Sequence, residues 1–123
     1  MKNTIAIGTR ASQLAIAQAK WVMNRISARY PDLTINLIKI KTKGDRVLDK
    51  PLSTIGGKGL FVKEIEEALI KKEIDLAVHS LKDVPAELPN NLCIGIIPVR
   101  EDPRDAFIST GNIPIKIYLK VPL

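Results

Sequence analysis

The chain has 123 residues, 46% hydrophobic and 26% charged, with a formal net charge of +6. That is enough for about one domain with its own core, and no apolar run approaches the roughly 18 residues of a membrane span. One cysteine and one histidine argue against an internal disulfide and a dedicated zinc site.

Residues 4–8 (TIAIG) predict a first strand. Nothing before them has the apolar region of a signal peptide, so a cytoplasmic protein is expected. Ser12 is placed to cap a helix that runs to about Tyr30, where Pro31 ends it. Ala15, Ala19, Val22, Ile26 and Tyr30 recur at helical spacing and predict its buried face. Residues 34–41 (TINLIKIK) predict a second strand. Its alternation changes phase between Leu37 and Ile38, which requires either two partly buried faces or a bulge.

Residues 42–58 form a long polar connection, of a length more in keeping with a functional loop than with filler. It ends in Gly56-Gly57-Lys58-Gly59, which lacks the spacing of a nucleotide-binding loop and better suits an anion-binding lid. A second helix follows from about Leu60, with Phe61, Ile65, Ala68 and Leu69 as its apolar stripe and Glu64, Glu66 and Glu67 near its start. Residues 76–79 predict a third strand, residues 92–99 (LCIGIIPV) a fourth and residues 105–109 a brief fifth. Cys93 then falls in a core strand as a buried structural thiol. The order strand, helix, strand, helix, strand implies an α/β fold with a mostly parallel sheet and flanking helices. Residues 113–121 alternate like a strand and then stop at Pro122-Leu123, so the chain reads as an amino-terminal piece of something longer.

In such a sheet, ligands bind beyond the carboxyl ends of the strands. Arg10, Lys41, Lys43, Lys58 and Lys82 all fall at strand-to-loop junctions. This distribution suits a small polyanion. It does not suit nucleic acid, because there is no basic block and aromatics are only 4%. Arg10 can grip a carboxylate with two prongs, beside the donors of a helix start at Ser12. After the third strand, His79, Ser80, Lys82 and Asp83 fall within five positions. A Ser-His-Asp triad is a poor reading of that cluster, because neighbours on a strand point to opposite faces.

Five segments in order resemble the porphobilinogen deaminase (hydroxymethylbilane synthase) family. They are IGTRASQLA at 7–15, KGD at 43–45, IGGKGLFVKE at 55–64, AVHSLKDVP at 77–85 and REDPRDAF at 100–107. The resemblance covers about residues 4–109 and implies a domain at residues 1–109, with an interdomain hinge beginning near residues 98–109, followed by a divergent or truncated tail at residues 110–123. It implies the first, periplasmic-binding-protein-like domain of a three-domain transferase of tetrapyrrole (haem and porphyrin) biosynthesis. Such enzymes join four porphobilinogen units into hydroxymethylbilane with release of ammonia. The resemblance further implies a cytoplasmic monomer that handles porphobilinogen and oligopyrrole intermediates, with no nucleic acid, membrane or metal. It implies a dipyrromethane cofactor held covalently on a cysteine outside these residues; Cys93 does not sit in that motif. By position, Asp83 corresponds to the catalytic aspartate. Arg10, Ser12, Lys58, Ser80 and Lys82 correspond to groups that hold carboxylate side chains, and Asp45 to a cleft loop. Thr54 stands where many members carry a second loop lysine. The competing reading of the residues is a small-anion-binding α/β domain without turnover.

Overall fold

The computed structural model describes residues 3–42, 44, 62–104, 108–109 and 111. The chain divides into two compact units, Met1–Cys93 and Ile94–Leu123.

In the first unit the order is β1 (Thr4–Arg10), α1 (Gln13–Arg29), β2 (Thr34–Ile40), α2 (Lys63–Ile70), β3 (Leu76–Ala77) and a single 3₁₀ turn, Leu81–Asp83. The three strands form one parallel sheet in the order β2-β1-β3, as the alternation of strands and helices implies. β1 and β2 pair without a break from Thr4↔Thr34 to Arg10↔Ile40, so there is no bulge at the phase change. The alternative holds instead. Ile35 and Leu37 are half-buried, while Ile40, of opposite parity, packs against the core beneath α2.

Local chemistry sets the ends of α1. Ser12 is extended (φ −66°, ψ 150°) and its Oγ accepts from the Ala15 amide at 3.3 Å. At the other end the Tyr30 amide donates to the Ile26 carbonyl at 2.9 Å, and Pro31 follows. Ala15 and Ala19 are buried, small enough to seat the helix closely on its neighbours. Val22 and Ile26 are half-buried, and Tyr30 is exposed, outside the expected stripe.

α2 buries Ile65 and Ala68 against Ile74, with Ala6, Ile40, Leu69 and Ala77 packed around them. Its carboxyl end closes in a Schellman motif. The Lys72 amide donates to the Leu69 carbonyl at 3.0 Å and the Glu73 amide to the Ala68 carbonyl at 2.9 Å. Lys72 takes the left-handed conformation (φ 59°) that this motif requires, a position usually filled by glycine. The reversal delivers Ile74 to the core and Asp75 to the sheet. There the Asp75 amide donates to the Ala6 carbonyl at 2.8 Å, and Asp75 Oδ2 accepts from the Ala6 amide at 2.8 Å. β3 is therefore shorter than predicted, but its docking to β1 begins one residue earlier through a side chain.

Gly8 packs directly against Ile74 in this core. A Cβ at this position would lie 2.3 Å from Ile74 Cδ1, and Ile74 is itself only 2% exposed. Gly8→Ala should therefore overpack the site and lower stability by roughly 1–3 kcal/mol. Ile74→Val deletes the clashing methyl, so the double variant should be more stable than Gly8→Ala alone. Urea unfolding of the three variants checks this; a double variant that falls by the sum of the single effects would locate the strain elsewhere.

The second unit corrects the reading of residues 92–99. They form no strand, and Ile94, Ile96, Ile97 and Val99 are exposed. Pro98 interrupts the run, and no strand pairs with it among the described residues. An apolar run reports side-chain character, whereas a strand also needs a ladder partner; apolar residues are not confined to interiors. Cys93, at the end of the first unit, is accordingly an exposed free thiol and not a buried one. Of the predicted fifth strand, residues 105–107 lie outside the described residues, and Ile108 and Ser109 are not in a strand.

Candidate functional site

The sheet order creates the crevice. From the central β1 the chain crosses to β2 on one side and returns to β3 on the other. The carboxyl ends of β1 and β3 therefore diverge at a topological switch point, where open α/β sheets bind ligands. A pocket of about 250 Å³ opens there. Complete small-molecule sites run to roughly 300–1,000 Å³, so this one suits one end of a larger ligand.

β1 ends on Arg10, Ser12 caps the start of α1, and the segment after β3 brings Ser80, Lys82 and Asp83 to the same pocket. All five lie in its lining, across a sequence separation that the parallel β1–β3 pairing closes. Lys58 and Asp45 lie outside the described residues, as do Lys43 and Thr54. Arg10 Nη1 donates to Asp83 Oδ2 at 3.3 Å, with both side chains about four-fifths buried at 17% and 21% exposure. Asp83 is thus paired across the fold, not with its neighbour Lys82. Two cations, Arg10 and Lys82, share the pocket with this one carboxylate. Ser12 Oγ uses a lone pair to cap α1 and keeps its proton to donate.

Two polar lining residues were not among the expected site residues. Gln18, a turn and a half into α1, meets the Ser80 hydroxyl. The only sequence signal for it is a polar residue beside the buried Ala15–Ala19 stripe. His79 lines the pocket with a buried Nε2 that has no hydrogen-bond partner. Burial pushes its pKa below the ordinary value of 6.5, with Asp83 acting upward and Arg10 downward, which favours the neutral ring. β3 ends at Ala77, so His79 and Ser80 are not strand neighbours and both reach the same pocket. The opposite-face argument against a triad therefore fails. Geometry replaces it, since the Ser80 hydroxyl is bonded to Gln18 and the His79 Nε2 to nothing.

The donors fit a carboxylate: among the described residues, one guanidinium, one ammonium and two hydroxyls line a pocket whose single acid faces the guanidinium. An unpartnered buried nitrogen in the lining adds a polar atom that a ligand can satisfy. Fold and site together define an α/β domain that gathers anion-binding groups and one fixed carboxylate at a strand switch point.

Comparison with known proteins gives that description a family. Residues 5–118 match a family model described as the dipyromethane cofactor binding domain of porphobilinogen deaminase. Porphobilinogen deaminase of Geobacter sulfurreducens is 62% identical over 116 residues, covering 91% of this chain and 36% of that protein. The enzyme of the same name from Citrifermentans bemidjiense is 63% identical over 107 residues (87% and 34%), and that of Bacillus velezensis 59% over 110 residues (89% and 35%). The chain belongs to the porphobilinogen deaminase family. It spans about a third of the length of these curated relatives. Among the described residues no helix is long and apolar enough to cross a membrane.

Proposed function

We propose that this chain supplies the first domain, residues 1–109, of a cytoplasmic transferase that polymerises four porphobilinogen units into hydroxymethylbilane. The observation that carries the reading is the convergence of Arg10, Ser12, Ser80, Lys82 and Asp83 on one pocket. Each porphobilinogen carries an acetate and a propionate, so a growing oligopyrrole brings many carboxylates. Arg10, Lys82 and the two hydroxyls hold them, with Lys58 as a further cation and Asp45 as a cleft-loop residue.

In each cycle the C–N bond of the aminomethyl group breaks and ammonia leaves. The remaining unit is a cationic azafulvene. Its methylene then bonds to the free α-carbon of a terminal pyrrole, which loses its proton. Asp83 faces the pyrrole nitrogen and stabilises the positive charge as it develops. A fixed charge in a water-poor site acts without reorganising, which makes this the leading contribution to rate. The dipyrromethane group, when bound, supplies the primer on which chain growth starts. Its carboxylates ask for the same donors as the substrate's, and Arg10, Ser12, Ser80 and Lys82 are the residues that would hold them.

A chimera tests the reading. Residues 1–109 replace the corresponding segment of the Geobacter sulfurreducens enzyme, and hydroxymethylbilane formation from porphobilinogen is followed. Turnover within about tenfold of the parent enzyme is expected. A folded chimera that binds porphobilinogen but releases no ammonia would instead leave a small-anion-binding domain without turnover.

A further inference from the structure

The Ser80 hydroxyl sits against both ends of one amide. Gln18 Nε2 lies 3.1 Å from Ser80 Oγ and donates to it, while Gln18 Oε1 lies 3.2 Å from the same Oγ and can accept its proton. Turning the amide over would exchange two nearly equal distances and leave the same pair of interactions. Gln18 and Ser80 both line the pocket, from opposite sides of the chain's longest sequence gap within it.

A serine hydroxyl has one proton to donate and two lone pairs. A carboxylate only accepts. Ser80 therefore helps to hold a carboxylate only when its proton points at the ligand. Left alone, the hydroxyl rotates and its proton has no fixed direction.

We infer that Gln18 is a positioning residue for ligand carboxylates, acting through Ser80: its Nε2–H fixes the Ser80 oxygen, and its Oε1 holds the hydroxyl proton until a carboxylate takes it. No covalent bond changes. In the open pocket the O–H points to Oε1. When a carboxylate arrives, the hydroxyl turns about Cβ–Oγ and donates to the charged acceptor, which forms the stronger bond. The Nε2–H continues to donate to Oγ and polarises the O–H it supports. The inference rests on the carboxylate-binding role proposed for this pocket.

A double-substitution cycle in the chimera tests it. Gln18→Met keeps the helix and most of the volume but has neither amide atom. It should raise KM for porphobilinogen about three- to tenfold, the net size of one ordinary hydrogen bond, with kcat within twofold because Asp83 is untouched. Ser80→Ala should raise KM by a similar factor. In the Ser80→Ala background, Gln18→Met should then change KM by less than twofold, because no hydroxyl remains to be held. Gln18→Leu serves as a second amide-free variant if the methionine folds poorly, and thermal unfolding of each variant separates a lost fold from a lost contact. KM effects that multiply in the double variant would overturn the inference, since Gln18 would then act on the ligand directly or on the fold. An unchanged KM for Gln18→Met would overturn it too. An unchanged KM for Ser80→Ala would overturn both the inference and the pocket reading beneath it.

Discussion

Asp83→Asn in the chimera should lower kcat on the order of 10²–10³-fold, the loss typical when a preorganised electrostatic group is removed. The substitution keeps the shape and removes the charge. KM should move far less, because Arg10 and Lys82 still face the substrate carboxylates and the 3₁₀ turn that carries residue 83 is held by backbone contacts. Those contacts are the Asp83 amide to the Ser80 carbonyl at 3.0 Å and the Val84 amide to the Leu81 carbonyl at 3.1 Å. Single-turnover measurement of ammonia release reports on the step directly. A kcat within threefold of the parent would remove Asp83 from the chemistry, since a fixed charge beside a forming cation is worth several kcal/mol.

Arg10→Ala should have the second-largest effect. It removes a charged donor from the pocket and also the partner of Asp83 at 3.3 Å. Losing hydrogen bonds to charged groups predicts a rise in KM of about 10- to 100-fold. The freed Asp83 side chain can then leave its working position, so kcat should fall as well. Arg10→Lys should restore little of either. An ammonium is a point charge and cannot reach Asp83 and a ligand carboxylate together with the planar fork of a guanidinium. Steady-state kinetics of both variants decide the matter, and full activity with lysine would show that Arg10 contributes charge alone.

Whatever depends on near neighbours was legible in the sequence. The ends of α1 follow from Ser12, three residues before the amide it caps, and from Pro31. The amphipathic stripe of α2 and the strand-helix-strand order that makes the sheet parallel are equally local. Because a parallel sheet puts all its carboxyl ends at one edge, the gathering of Arg10, Ser12, Ser80, Lys82 and Asp83 could be read from order alone. The rest came from contacts between elements far apart in the chain. Which cation Asp83 pairs with was settled across 73 positions by the docking of β3 beside β1, and the more obvious neighbour, Lys82, lost. The Gln18–Ser80 contact spans 62 positions and joins a helix to a loop, a meeting that no spacing rule reports. Residues 92–99 show the same limit in reverse. Their apolar character is local, but burial and strand formation need a partner from elsewhere, and none of the described residues supplies one: Ile96 is 85% exposed and Cys93 is open to solvent. Caps, turns and periodicities are encoded within a few residues. Pairings, burial and the direction of a hydroxyl proton are set by which distant elements the fold places side by side.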